Sequence, residues 1–328
     1  MIKERVNIAT SCDNNYARYV FINIANLSQT LRNRYDVHFY LMHSRILPDT
    51  VEHLRKFSEF SGISFHEVRV DNDDFISEIS KYSLAKDRER FYDGMCHLWL
   101  PDDIERVLYV DTGDILILSD DYPFYFEEFT GKSLLVSTYW KLQQDRLDFD
   151  RFDGLWGGFN SGHILIDVAQ LRQRQLSPSD YVEYVKRWSL KKPGQVTLFG
   201  GDQAFLTAFF AGDIATIEKS NPYNVKIAAL NGRSPEYQPK SIHFNAMFAN
   251  VKPWNIPFKK PGDLDKLTFQ TTSPTGEKRT HLSGYENECI LKWWDVCRLT
   301  PVYDLVKSES LTSTKLLLGV CKYMRTNS

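Results

Sequence analysis

The chain has 328 residues, enough for one large domain or two of middle size. Its formal net charge of −2 argues against nucleic acid as a partner. Hydrophobic residues make up 42%, an ordinary globular share, yet no apolar run approaches the roughly 20 residues that a membrane-spanning helix needs.

The chain opens on Met1-Ile2-Lys3-Glu4-Arg5 and runs directly into Val6–Ser11, which reads as a buried strand, so no signal peptide is expected. Apolar residues then recur at Val20, Ile24, Leu27 and Leu31, the spacing of an amphipathic helix. Val37–Leu41 and Ile63–Val68 read as strands on either side of a helix over Thr50–Phe60. Strand and helix in alternation predict a doubly wound, Rossmann-like α/β sheet. Arg106–Val110 is the next central strand, followed by Ser133–Thr138, Gly162–Asp167, Ile214–Ile217 and the short Ser241–Phe244. The character changes near Lys259-Lys260-Pro261-Gly262, which divides the sequence into a first domain, 1–260, and a helical extension, 261–328. Glu286–Arg298 and Leu311–Met324 are the helix candidates there, with Pro301 between them. The five cysteines, Cys12, Cys96, Cys289, Cys297 and Cys321, lack C-x-x-C spacing, which disfavours a zinc or disulfide framework and makes a reducing cytoplasm the expected compartment.

The chemistry gathers at strand ends. Arg106–Val110 runs into Asp111-Thr112-Gly113-Asp114, and a second apolar run, Ile115–Leu118, follows at once. Carboxylates at the end of a buried strand need a partner, and a hard divalent cation is the readiest one. Asp-Thr-Gly-Asp is also good turn chemistry, so metal site and turn both stand at this point. Thr10–Tyr16 places Asp13, Asn15 and Tyr16 at the end of the first strand, where they either meet a nucleoside edge or cap the following helix. Asn160 precedes the Gly162–Asp167 strand. Gly200-Gly201-Asp202-Gln203 opens an apolar helix near its positive end. His243 ends a short strand, and Lys252-Pro253-Trp254 follows it.

Together and in this order, these segments resemble glycosyltransferase family 8, in particular its bacterial lipooligosaccharide galactosyl- and glucosyltransferases, over about residues 5–256. The resemblance implies a GT-A fold, a UDP-sugar donor, a Mn²⁺ or Mg²⁺ cofactor, a glycan or glycoconjugate acceptor, and transfer with retained anomeric configuration. It assigns Asp13, Asn15 and Tyr16 to the nucleotide, with Tyr16 on uracil. Asp111, Asp114 and His243 become metal ligands, and Lys252 a diphosphate contact. Asn160, Asp202 and Gln203 become the catalytic set around the donor sugar. It favours front-face transfer, with the departing phosphate taking the acceptor's proton, over Asp202 as a covalent nucleophile. A catalytically silent nucleotide-sugar-binding protein is the alternative reading. A nucleotidyltransferase is disfavoured because no G-x-G phosphate loop follows the first strand.

Four departures from the family pattern stand out. The acidic motif is one residue too long: either a bulge at Gly113 lets Asp114 still reach the metal, or the second ligand is lost. His97 occupies the position of a donor-gripping arginine, with Arg88 or Arg90 as substitutes. Ala246 stands where a glycine is expected, in a longer link between His243 and Lys252. Tyr139 replaces an aspartate. Residues 139–156 form the acceptor-facing loop in this reading. For the C-terminal extension, Trp293, Trp294, Tyr303 and Tyr323 with Lys315, Lys322 and Arg325 fit a peripheral contact with the inner face of the membrane. Packing against the first domain and a homodimer contact are the other two readings.

Overall fold

The computed structural model describes residues 2–83, 87–137, 159–190, 201–217, 222–230, 237–244, 252–255, 271–272, 278–279 and 284–310. A seven-stranded mixed sheet is its frame. Strands β1 (Glu4–Ser11), β2 (Tyr35–His43), β3 (Ser64–Arg69) and β4 (Arg106–Val110) run parallel in the order β3-β2-β1-β4. Helices α1 (Ala17–Thr30) and α2 (Pro48–Ser61) connect β1 to β2 and β2 to β3. After β5 (Ile115–Ile117) and β6 (Leu134–Ser137), β7 (His163–Asp167) inserts antiparallel between β4 and β6, and β8 (Ile214–Ile217) closes the far edge. The doubly wound mixed sheet expected from the sequence is therefore present.

Alternation along the strands explains why both sheet faces are apolar. Ala9, Tyr40, Met42, Val107, Tyr109, Ile164 and Ile166 pack into one core cluster. Ile8, Phe39, Leu41, Leu108, Val110 and Leu165 pack into another on the opposite face. Side chains alternate with a period of two, so a strand covered on both faces must be apolar almost throughout.

A small second sheet, β5-β10-β9, stands beside the first, formed with β9 (Val225–Lys226) and β10 (Ser241–His243). Its core takes Leu116, Val225 and Ile242 together with Tyr19, Ile22 and Ala25 of α1. Helix α1 is thus buried on two sides, by the large sheet and by the small one. Three further helices, α3 (Asp74–Ser80), α4 (Val168–Gln173) and α5 (Pro178–Leu190), precede α6 (Asp202–Phe209), and α7 (Gly284–Cys297) follows the second sheet.

Helix α7 shares the small sheet's core, and residues 303–310, also helical, follow it. Trp293 and Trp294 are both 0% exposed, so of the three readings of the extension these two residues follow packing inside the protein and are not themselves a membrane or homodimer contact. Glu309 pairs with Arg18 of α1, tying the last described turn to the same body. The expected boundary near Lys259–Gly262, the strand end at Thr138, the loop 139–156, Ala246 and the helix Leu311–Met324 lie outside the described residues. No described helix is long and apolar enough to cross a membrane.

Candidate active site

The acidic loop joins the two sheets. Asp111 follows β4 and Asp114 immediately precedes β5. Register does the rest. Val110 faces His163 across β4 and β7, and the Asp111 N–H donates to the Gly162 carbonyl at 2.9 Å. His243 faces Ile115 across β10 and β5, and the Phe244 N–H donates to the Asp114 carbonyl at 2.8 Å. Asp111, Asp114 and His243 thereby converge, with one ligating atom of each within 4.8 Å of the others.

The additional residue is absorbed at Gly113, whose φ of +72° lies in the left-handed region that glycine adopts at no steric cost. The loop is fixed on every side. Asn23 Nδ2 donates to the Asp111 carbonyl at 3.2 Å, and Asn23 Oδ1 accepts from the Gly113 N–H at 2.6 Å. Trp293 Nε1 donates to the Gly113 carbonyl at 2.7 Å. The Thr112 hydroxyl donates to the Ser11 carbonyl at 3.0 Å.

The donor set fits a hard divalent cation. His243 Nε2 stands 3.4 Å from Asp111 Oδ2. His243 Nε2 and Asp114 Oδ1 are both buried with no hydrogen-bond partner among the described residues, a costly state unless something else meets them. Two carboxylates and an imidazole are ordinary ligands for Mn²⁺, and two carboxylates with water suit Mg²⁺. Gly162 preserves the space, because a Cβ there would overlap Asp111 Oδ2 and lie 2.5 Å from His243 Cε1. Burial tends to raise the Asp111 carboxyl, but the facing His243 imidazole, Lys252 and Arg90 outweigh it and hold Asp111 below the ordinary carboxylate range. Lys252 pairs with Asp114 Oδ2. Burial lowers the Lys252 ammonium to about 8, with the Asp111 charge opposing that fall and the Arg90 charge adding to it.

A second polar group adjoins the first. Ser161 donates to Asp202 Oδ2, and Asn160 Nδ2 reaches Gln203 Oε1 at 3.4 Å. Arg90 stands 3.7 Å from Asp202 Oδ1. Burial pushes the Asp202 carboxyl up to about 6, against the pull of Arg90 and the Ser161 hydrogen bond. Asp93 is 1% exposed, accepts one hydrogen bond from the Gly94 N–H at 2.7 Å, and leaves Oδ2 without a partner among the described residues. Burial and the Asp202 charge raise its carboxyl well above the ordinary range. The Asp93-Gly94 turn lies directly on α6, since a Cβ at Gly94 would overlap Leu206.

His97 is not brought to this group. It faces the Leu176 carbonyl at 3.2 Å, and burial lowers its imidazole to about 4, so it is neutral at physiological pH. The cation beside Asp202 is Arg90, whereas Arg88 pairs with Asp73. The family pattern put His97 in that place with Arg88 or Arg90 as substitutes, but 89–91 and 93–98 form tight 3-10 turns, whose packing decides which side chain faces Asp202. Asp93 and Ser161 were not singled out from the sequence. Ser161 lies inside the Asn160 segment and was within reach, but a lone Asp93 gives no pattern.

The first-strand segment closes its own turn ahead of α1, whose N-cap residue Tyr16 makes no side-chain cap bond. Asp13 accepts from the Tyr16 N–H at 2.9 Å and from Asn15 Nδ2 at 3.1 Å. Tyr16 is 46% exposed, and its ring lies edge-on 6.4 Å from Trp254, which stacks on Tyr19 at 4.2 Å. Lys252 Nζ lies 5.6 Å from the Trp254 ring, so the aromatic edge adjoins the carboxylate cluster.

Solved structures share this arrangement of sheets. The galactosyltransferase LgtC, solved with donor and acceptor sugar analogues, superposes with a TM-score of 0.58 at 17% identity, over 76% of this chain and 89% of that one. The glycosyltransferase GlyE of Streptococcus pneumoniae TIGR4 superposes at 0.54 with 14% identity, over 94% of this chain and 64% of that one. The fold is thus the GT-A fold of glycosyltransferases. In sequence, the glycosyltransferase GlyF of Streptococcus pneumoniae serotype 4 is 24% identical over 258 residues, which are 76% of this chain and 58% of GlyF. The family model for glycosyl transferase family 8 matches residues 7–256, and the chain belongs to that family.

Proposed function

We propose that this chain transfers a hexose from a UDP-sugar to a glycan, lipooligosaccharide or protein-linked acceptor, with retention of configuration and a divalent cation, Mn²⁺ or Mg²⁺, on Asp111, Asp114 and His243. The observation that carries the reading is the pair of partnerless buried ligand atoms, Asp114 Oδ1 and His243 Nε2, beside Asp111 and over the space left by Gly162. A bound divalent cation supplies Lewis-acid stabilisation of the charge that develops on a sugar diphosphate.

The chain's own groups divide the remaining work. The Lys252 ammonium turns to the diphosphate and offsets its charge, in the manner of an oxyanion hole. Tyr16 stacks on the base, and Asp13 and Asn15 accept and donate along the nucleoside. Asp202 and Asn160 hold hydroxyls of the donor sugar, and Arg90 takes the donor-gripping part first assigned to His97. The Gln203 amide lies beneath the anomeric carbon. The bond from that carbon to the β-phosphate oxygen breaks with its electron pair leaving on the phosphate. The acceptor hydroxyl oxygen bonds to the same face of the carbon, and its proton passes to that phosphate oxygen. Asp202 already accepts from Ser161 and faces Arg90, which supports a binding role over that of a nucleophile. The compartment in this reading is the reducing cytoplasm, in keeping with the cysteine spacing.

UDP release from each common UDP-sugar, with Mn²⁺ and then with EDTA, tests the reading. Release that stops with EDTA is the expected result. Binding without release would make the chain a nucleotide-sugar-binding protein, and no binding of any UDP-sugar would overturn both readings.

A further inference from the structure

His243 does not stand alone on β10. Its Nδ1 lies 3.1 Å from Asn224 Oδ1. The Asn224 N–H donates to Ser241 Oγ at 2.8 Å, and Ser241 lies two residues before His243 on the same face of the strand. The Tyr122 hydroxyl donates to the same Ser241 Oγ at 2.8 Å, and His163 Nε2 lies 2.6 Å from that hydroxyl. Asn224, Ser241, His163 and His243 are all buried, and Tyr122 is 1% exposed.

Asn224 also adopts a φ of +52°, a left-handed conformation that few residues other than glycine tolerate and that asparagine tolerates best. A buried residue held there by its own N–H bond to Ser241 is over-determined by its surroundings, which is how functional positions retain strain.

An amide oxygen can only accept, so the His243 proton must lie on Nδ1. In the neutral ring Nε2 is then a bare lone pair 3.4 Å from Asp111 Oδ2. Such a pair is repulsive unless a cation, a proton or a metal ion, lies between them. We infer that Asn224, braced by Ser241 and Tyr122, is the positioning residue that fixes His243 in its Nδ1–H tautomer and so presents Nε2 as a metal ligand. This rests on the proposed metal-dependent reading. It extends that reading to three residues outside the ligand set.

The test uses the full chain and Mn²⁺ alone as the probe. In metal-free wild type at pH 8, the ¹⁵N spectrum of the His243 ring is expected to show the proton on Nδ1, and a proton on Nε2 overturns the inference. Asn224→Gly keeps the left-handed backbone and removes the side chain that carries the acceptor. It is expected to weaken Mn²⁺ binding by about 10- to 100-fold, the usual effect of losing a partner that orients a ligating histidine, and to mix the two tautomers. Asn224→Asp retains an acceptor and should restore both affinity and tautomer. Mn²⁺ affinity within twofold of wild type in Asn224→Gly, with the tautomer unchanged, overturns the inference. Should Asn224→Gly fail to fold, the wild-type tautomer still decides. Should wild type bind no Mn²⁺, the metal-dependent reading fails, while the ring spectrum continues to test the role of Asn224.

Discussion

Gly162 carries its weight by lacking a side chain. Its backbone already receives the Asp111 N–H, so the strand register puts it against the carboxylate whatever residue stands there. Gly162→Ala is expected to retain the fold, because Gly162 is not among the glycines held in the left-handed region, and to abolish divalent-cation binding, because the methyl group overlaps Asp111 Oδ2. A Mn²⁺ titration followed by electron paramagnetic resonance, beside circular dichroism, checks both halves; retained binding would remove Gly162 and Asp111 from the cation site. Asp202 yields a prediction in pH. Its folded carboxyl titrates at about 6, above the ordinary 3.8, so the folded chain holds that proton more firmly than the unfolded one. The contribution to stability is therefore fully present below about pH 4 and is lost as pH rises through about 6. In EDTA, the melting temperature of wild type should fall relative to Asp202→Asn between pH 4 and pH 7, and parallel curves would contradict the assignment. At this scale the sequence was legible where a residue sits at a strand end or a helix start, as Asp111, Asn160, Asp202 and Gln203 do. It was not legible between Arg88, Arg90 and His97, because only the packing of the 3-10 turns on α6 decides which side chain faces Asp202.

Among the elements, α7 is the one whose role the sequence obscured. Two adjacent tryptophans in a late helix with basic residues downstream read equally well as a membrane contact. The structure buries both because β5, β9 and β10 form a separate apolar surface that must be covered. That surface depends on pairing between residues 115–117 and 241–243, a non-local contact that no local periodicity reveals. Helix α7 then acts on the site directly through the Trp293 Nε1 bond to the Gly113 carbonyl. Trp293→Phe keeps most of the buried ring and removes that donor, leaving a buried carbonyl unpaired at a cost of about 1–3 kcal/mol. Urea unfolding should report that loss, and Mn²⁺ affinity should fall with it, since Gly113 fixes where Asp114 points. Loss of stability with unchanged affinity would confine α7 to a packing role. The parallel strands, by contrast, were readable from the sequence because burial on both faces leaves near-continuous apolar runs such as Val107–Val110.

At the scale of the whole molecule, the candidate cation site is a seam. Asp111 belongs to the end of a strand in the seven-stranded sheet, whereas Asp114 and His243 border the small sheet. The two sheets have separate cores, joined through α1 and the acidic loop. A cation held by all three side chains would therefore tie the small sheet to the large one. Ligand binding to the folded state stabilises it by about 2.7 kcal/mol at one hundred times the dissociation constant, but that figure says nothing about where the stabilisation falls. The seam does. Openings that separate the small sheet and α7 from the large sheet break the cation site, whereas local fraying at the outer edge strand β3 leaves it intact. Saturating Mn²⁺ should slow amide hydrogen exchange in residues 111–117, 225–226, 241–243 and 284–297 and leave the exchange of residues 64–69 unchanged. Protection confined to residues 111–114 would mean that the two sheets already move as one body without the cation. Equal protection in residues 64–69 would mean that exchange proceeds through global unfolding, and the seam would then have no separate mechanical existence.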